Sequence, residues 1–73
     1  MEKEELNIKI AERIIHYRKL RNFSQEDLGT CLDVSKQNIQ VIESGKRNPG
    51  SHLLYRISDA LSVTLSELLE GIS

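Results

Sequence analysis

Four side chains in one short segment have the chemistry needed to contact the edges of DNA base pairs. Gln37 and Gln40 carry amides that pair with adenine, and Lys36 donates to the guanine acceptors of the major groove. Val41 offers an apolar contact for a thymine methyl group. At 100° per residue these side chains share one side of a helix, with Ile39 on the other. A polar outer face also suits any solvent-exposed helix, so base contact and solvation are both open at this point.

Basic residues flank this segment, although the chain as a whole is nearly neutral. Ten Lys and Arg residues against eleven Asp and Glu give a net charge of -1, so any attraction to a polyanion must be local. Residues 51–73 are mildly acidic, which predicts a basic front that attracts a duplex and an acidic back. The cations of the predicted front are Arg13, Arg18, Lys19, Arg21, Lys46 and Arg47.

Other reactive residue types form no site that we can identify. His16 and His52 have no second ligand at a useful spacing, so we predict no metal and no cofactor. The single cysteine, Cys31, cannot form an internal disulfide, and its place beside Leu28 and Leu32 predicts a small buried side chain. The acids and serines form no nucleophile and base arrangement. The sequence therefore predicts binding and not catalysis.

Helix start and stop signals divide the chain into short helices. Residues 7–21 have apolar positions at helical spacing, with charges opposite. The second helix starts at Ser24, where a Ser-x-x-Asp pattern with Asp27 forms a capping box. A third helix starts at Ser35 and ends near Ser44, and Gly45 closes it in the left-handed conformation.

Two further helices complete a predicted all-α fold of five. The fourth is capped by Gly50 or Ser51, and the fifth follows Thr64 with a second capping box through Glu67. Only residues 33 and 34 separate the second and third helices, and Asp33 tolerates the positive φ that so tight a turn needs. Helices 2 and 3 thus form a helix-turn-helix, with the outer face of helix 3 directed away from the body.

The length of 73 residues allows one small domain, because such a chain buries only about 60% of its unfolded surface. We assign residues 1–6 to an N-terminal extension, 7–70 to the domain and 71–73 to a tail. No apolar run approaches a membrane span and the N-terminus lacks a signal-peptide layout, so we expect a cytoplasmic protein without membrane contact. Leu65, Leu69 and Ile72 are candidates for a homodimer interface, since a short last helix leaves part of its apolar stripe exposed.

The order of these motifs resembles the helix-turn-helix of the lambda-repressor and Cro family, also called the xenobiotic-response-element type. The resemblance covers residues 10–69 without apparent insertions. It rests on Ser24-Gln25-Glu26-Asp27-Leu28-Gly29, Leu32-Asp33-Val34-Ser35, Ile42-Glu43-Ser44-Gly45-Lys46-Arg47-Asn48-Pro49 and Ala60-Leu61-Ser62-Val63-Thr64-Leu65-Ser66-Glu67-Leu68-Leu69.

This resemblance implies a five-helix bacterial or phage regulator that binds double-stranded operator DNA as a dimer, with helix 3 in the major groove. Half-sites about 34 Å apart would then form an inverted repeat, and occlusion of polymerase would give repression. The resemblance also implies that Arg18 and Glu43 form an internal ion pair and that Gln25 braces helix 3. The side chains assigned to phosphate contacts are Gln25, Lys19, Arg21, Asn38, Ser44, Lys46 and Arg47.

Two alternatives stay open. A protein-interaction module, such as an antitoxin or adaptor, would keep the fold and use its surface for a protein partner. A controller protein of a restriction-modification system would be similarly little more than this one domain. No effector domain is visible, so regulation is expected through concentration, dimerisation or a partner such as an antirepressor.

Overall fold

The computed structural model describes residues 2–72 and consists of five helices connected by short turns, with no strand among those residues. The predicted all-α class and the pairing of helices 2 and 3 are confirmed. The described part of the chain measures 31 × 23 × 20 Å along its principal axes. The helices are α1 (Lys3–Leu20), α2 (Gln25–Leu32), α3 (Lys36–Glu43), α4 (Gly50–Ala60) and α5 (Leu65–Leu68).

One apolar core holds the five helices together. Each helix contributes at least one side chain that is no more than 1% exposed: Ile14, Leu28, Ile39, Ile57 and Leu68. Burying such a side chain contributes about 1.5–3 kcal/mol relative to leaving it in water. Because α2 and α3 both contribute side chains to this core, their relative orientation is fixed by packing and not by the turn alone.

Side-chain caps start α2, α3 and α5 where the sequence predicts them. The Ser24 hydroxyl accepts from the Asp27 amide, and the Asp27 carboxylate accepts from the Ser24 amide. Thr64 and Glu67 form the same reciprocal pair at α5. These hydrogen bonds to the ionised carboxylates, led by the bond from the capping residue's own amide, lower the pKa of both acids. Ser35 caps α3 by accepting from the amide of Asn38.

The predicted left-handed residues are also confirmed. Asp33 has φ 57° and ψ 43° in the turn between α2 and α3, and Gly45 has φ 78° after α3. Such φ values strain most L residues but suit Asp in a turn and Gly after a helix. Asn22 adopts φ 60° after α1, in the place where glycine commonly ends a helix.

Two predicted helix starts are wrong. α1 begins at Lys3, not at residue 7, so most of the predicted N-terminal extension is helical. Its first turn carries Glu4 and Glu5, and carboxylates are favourable near the partial positive charge of a helix N-terminus. At α4 neither Gly50 nor Ser51 is the cap, since the helix follows Pro49 without a side-chain cap. Met1 and Ser73, the ends of the predicted extension and tail, lie outside the described residues.

Cys31 is exposed, so its predicted burial is wrong. The buried face of α2 is formed by Leu28, Gly29 and Leu32, and at 100° per residue Cys31 points about 100° from its centre. Gly29 occupies an inward position, because the backbone of the turn between α2 and α3 passes close to it. A Cβ there would lie 2.7 Å from the carbonyl oxygen of Val34.

Candidate nucleic-acid interface

The outer face of α3 is exposed, as the sequence predicts. Lys36, Gln37, Gln40 and Val41 all lie on the solvent side, and Val41 keeps 40% of its surface accessible. Ile39, on the opposite side of the helix, is 1% exposed. Within residues 2–72 the polar groups of the Lys36, Gln37 and Gln40 side chains make no hydrogen bond, so their donors and acceptors are free for a ligand.

A buried polar network braces α3 against α1 and α2. Arg18 and Glu43 form the ion pair that the resemblance implied, with Nε–Oε2 at 2.7 Å and Nη2–Oε1 at 3.0 Å. Their side chains are 11% and 4% exposed. Gln25 donates its amide to the same Oε1 at 3.0 Å, and Arg18 Nη1 donates to the Phe23 carbonyl at 2.7 Å. One carboxylate at the end of α3 therefore contacts both earlier helices, which fixes how the outer face is presented.

Gln25 is thus placed as a brace, and its phosphate assignment stays a prediction. The side chain is half-buried at the start of α2 and uses one amide hydrogen on Glu43. A primary amide has two donor hydrogens, so one remains for a second acceptor.

Two arginines of the predicted basic front between residues 13 and 21 hydrogen-bond to backbone carbonyls of other elements. Arg13 donates to the carbonyls of Leu68 at 3.1 Å and Glu67 at 2.8 Å. Arg21 donates to the carbonyls of Leu61 at 2.8 Å and Ser62 at 3.3 Å. These guanidinium groups satisfy unpaired carbonyls at the C-terminal ends of α5 and α4, where cations are favourable.

With Arg18 in the ion pair, Lys19 is the one cation of the predicted 13–21 cluster whose charged group has no hydrogen-bond partner among residues 2–72. It is exposed at the end of α1. Arg56, in α4, likewise donates to the Leu32 carbonyl at 2.6 Å, at the end of α2. A hydrogen bond to a neutral carbonyl leaves the charge of exposed Arg21 in place, so Arg21 stays a candidate beside Lys19, and two further cations lie in the loop after α3.

That loop presents Lys46 and Arg47, both exposed. Arg47 Nη2 donates to Asn38 Oδ1 at 3.2 Å, which brings two of the residues assigned to phosphate contacts together. Ser44, a third, donates its hydroxyl to the Val41 carbonyl at 2.6 Å and accepts from the Lys46 amide at 3.4 Å. The loop and the outer face of α3 are therefore joined by hydrogen bonds into one surface.

One amide contact at this loop, between buried Asn7 and exposed Asn48, is not indicated by any sequence pattern. Asn48 Nδ2 donates to Asn7 Oδ1 at 3.1 Å, across 41 positions of the chain, and Asn7 is 7% exposed. Helical periodicity marks Asn7 only as the start of the first helix. No local spacing signals the contact, because the partners belong to separate elements.

The candidate dimer residues are half-buried. Leu65, Leu69 and Ile72 pack against the core and keep part of their surface accessible, so the dimer assignment stays a prediction. Two large apolar side chains elsewhere on the surface are more exposed: Leu20 at 62% and Tyr55 at 64%. In the described part of the chain, no three His, Cys, Asp or Glu residues cluster as a metal site would require. No helix in residues 2–72 has the length and apolar character to cross a membrane.

Comparison with known proteins shows that the chain is similar to helix-turn-helix proteins. The helix-turn-helix family model HTH_3 matches residues 14–68. An uncharacterised HTH-type transcriptional regulator of Methanocaldococcus jannaschii is 38% identical over 59 residues, covering 81% of this chain and 89% of the relative. The control protein C.MunI of a Mycoplasma species is 33% identical over 69 residues, covering 93% of both chains.

Longer proteins also match. The HTH-type transcriptional activator BcrR of Enterococcus faecalis is 42% identical over 60 residues, which are 82% of this chain and 29% of that protein. A crystal structure of an HTH_3 family transcriptional regulator from Vibrio cholerae superposes with a TM-score of 0.87 at 24% identity. It covers 97% of this chain and 40% of the other, and this match supports the fold alone.

Proposed function

Because the chain belongs to the HTH_3 helix-turn-helix family of DNA-binding transcriptional regulators, which are not enzymes, we propose that it recognises a specific operator through α3. The observation that carries the proposal is the outer face of α3. Its amide and ammonium groups are free, and the Arg18–Glu43 pair fixes the helix that presents them. Lys36, Gln37, Gln40 and Val41 then contact base edges in the major groove of double-stranded DNA.

Phosphate contacts in this proposal come from both ends of α3. Lys46, Arg47, Asn38 and Ser44 form the joined surface after and along the helix, and Gln25 contributes its remaining amide hydrogen. Lys19 adds an exposed charge from α1. Arg21 is exposed as well, and although its guanidinium donates to carbonyls at the end of α4, its remaining donors contribute to the proposed phosphate contacts.

We further propose a homodimer that binds an inverted repeat in the cytoplasm and represses by occluding polymerase. Two copies presenting α3 to successive major grooves require half-sites about 34 Å apart. The half-buried Leu65, Leu69 and Ile72 support a dimer contact at the C-terminal end, since each leaves apolar surface accessible.

A first experiment selects bound duplexes from a random DNA pool at about 150 mM salt, where nonspecific dissociation constants are about 10⁻⁴ to 10⁻⁶ M. We expect an enriched inverted repeat. A folded protein that enriches no sequence would contradict operator recognition and favour the protein-interaction module.

Two variants then separate base readout from phosphate contact. Gln37→Ala should cost about 1–3 kcal/mol on the operator and relax preference at one base position. Arg47→Ala should weaken all duplexes alike and reduce the salt slope by about one. Arg47→Lys is the matched control, since it keeps the positive charge at the same position and should keep the salt slope. Equal losses on operator and random DNA for Gln37→Ala, or a loss confined to the operator for Arg47→Ala, would contradict the assigned roles.

The control protein C.MunI favours a second candidate, a controller of a restriction-modification system. That relative matches nearly end to end, with 93% of each chain covered.

Placing the selected operator over a reporter promoter tests the sign of regulation. Reduced expression supports repression, whereas increased expression would replace it by activation, the role named for BcrR.

A further inference from the structure

The loop that carries Lys46 and Arg47 is held on both sides by the second turn of α1. On its N-terminal side, a Cβ on Gly45 would lie 2.8 Å from Ile8 Cγ1 and 3.1 Å from Ile8 Cα, so the loop backbone passes directly against α1. On its C-terminal side, Asn48 donates to Asn7 at 3.1 Å. The two exposed cations lie between these contacts.

The Asn7–Asn48 contact is a defined hydrogen bond and not a loose surface encounter. Asn7 is 7% exposed, and a buried amide acceptor that loses its donor carries a desolvation cost. Asn48 is fixed at its other end as well, because its Oδ1 accepts from the Gly50 amide at 2.8 Å. A single side chain thus ties α1 to the start of α4 across the base of the cationic loop.

We propose that Asn7 is a positioning residue for DNA binding, which acts by holding Lys46 and Arg47 where they contact phosphates. This inference rests on the proposed function. Asn7 precedes residues 14–68, the segment matched by the family model, so the contact is a feature of this chain beyond that segment. Without the bond, the loop samples other conformations and its cations lose their register with the backbone of the duplex.

The expected effect has a specific form. Each neutralised phosphate contributes about 0.9 to the slope of log K against log salt. If these ionic contacts contribute nothing at about 1 M salt, this slope means that losing one contact weakens binding about fivefold at about 0.15 M salt. Asn7→Ala should therefore weaken operator and random duplexes alike, by about fivefold to thirtyfold if one or both cations no longer reach a phosphate, and leave base preference unchanged.

The first measurement uses the free protein. Two-dimensional NMR of Asn7→Ala should show shifted or broadened amide signals for Lys46 and Arg47, while those of α3 stay in place. Ser58→Ala is the matched control, since it also truncates a buried polar side chain, 3% exposed, whose hydrogen bond is local to α4. Loop signals that are unchanged in Asn7→Ala would overturn the proposal.

The second measurement is the salt dependence of duplex binding. Asn7→Ala should lower the slope, Ser58→Ala should not, and Asn7→Ala should add no further loss once Lys46 and Arg47 are both replaced by alanine. A merely structural defect would add to that loss. Asn48→Ala removes the same bond from the loop side, together with the acceptor of the Gly50 amide, and leaves α1 intact. It should lower the salt slope in the same way if Asn7→Ala does not fold.

The outcomes separate the two proposals. If the wild-type protein binds no duplex, the proposed function fails and the inference fails with it. If the wild type binds and the variants keep its salt slope, only the positioning role of Asn7 is overturned.

Discussion

Replacing Glu43 by alanine tests whether the buried network holds α3 in place. The substitution removes the acceptor of two Arg18 hydrogen bonds and of the Gln25 amide. The guanidinium would keep its bond to the Phe23 carbonyl but would otherwise be a buried cation without a counter-charge. Breaking a buried pair in this way costs about 3–5 kcal/mol, against about 0–1 kcal/mol for an exposed pair.

That cost is large for a chain of this size. At about 0.05–0.15 kcal/mol per residue, a domain of 73 residues has a folding free energy of about 4–11 kcal/mol. We therefore expect Glu43→Ala to lower Tm by more than about 12 °C, since 1 kcal/mol corresponds to about 4–8 °C in small domains.

Urea unfolding followed by circular dichroism measures the loss directly, provided that the m-value is unchanged. The double variant Arg18→Met, Glu43→Leu removes both charges and should be more stable than either single variant. Glu12→Ala is the control, because this exposed carboxylate in α1 should change stability by less than about 0.5 kcal/mol. A loss below about 1 kcal/mol for Glu43→Ala, or a double variant no better than the singles, would refute the reasoning.

Three further predictions concern stability. Gly45→Ala should destabilise by at least about 1 kcal/mol more than Gly50→Ala, because both glycines have positive φ but only at Gly45 would a new Cβ meet an α1 atom within 3 Å, Ile8 Cγ1. Equal urea midpoints would contradict this. Asp27→Asn should reduce the loss of folding free energy at acid pH. The capping bonds lower the folded-state pKa of Asp27 below its ordinary 3.8, so their contribution to stability is present above that pH and is lost as the pH falls through the folded-state pKa. Acid titrations of the two proteins that run parallel would rule out this role. Arg56→Met should cost about 1–3 kcal/mol by leaving the Leu32 carbonyl without its 2.6 Å donor, and a cost within error of zero by thermal melting would show that water replaces the guanidinium.

Local patterns predicted most of the fold. The capping boxes at Ser24 and Thr64 and the positive φ of Asp33 and Gly45 depend on residues within four positions of one another. Helical periodicity likewise placed the exposed face of α3, because Ile39 and Ile42, three positions apart, orient a two-turn helix toward a core.

Periodicity was less reliable where the helix gave no sharp apolar contrast. In α2 it placed Cys31 inward, whereas the closely packed Gly29 fills that side. Glycine has no side chain to mark a buried face, so the sequence carried no signal for it. The early start of α1 was missed for a similar reason, since its first turn consists of charged residues that resemble an extension.

The sequence by itself determined the number of helices, the side-chain caps of α2, α3 and α5 and the side chains that α3 presents, because each depends on short-range hydrogen bonds and on helical spacing. Only the tertiary structure decided which cations hydrogen-bond to other elements of the fold. Arg13 and Arg21 meet carbonyls 40 to 55 positions away, and Asn7 meets Asn48 across 41. Such contacts form only after the helices pack and bring unpaired carbonyls and amides within reach of a long or buried side chain, and no local spacing encodes that arrangement.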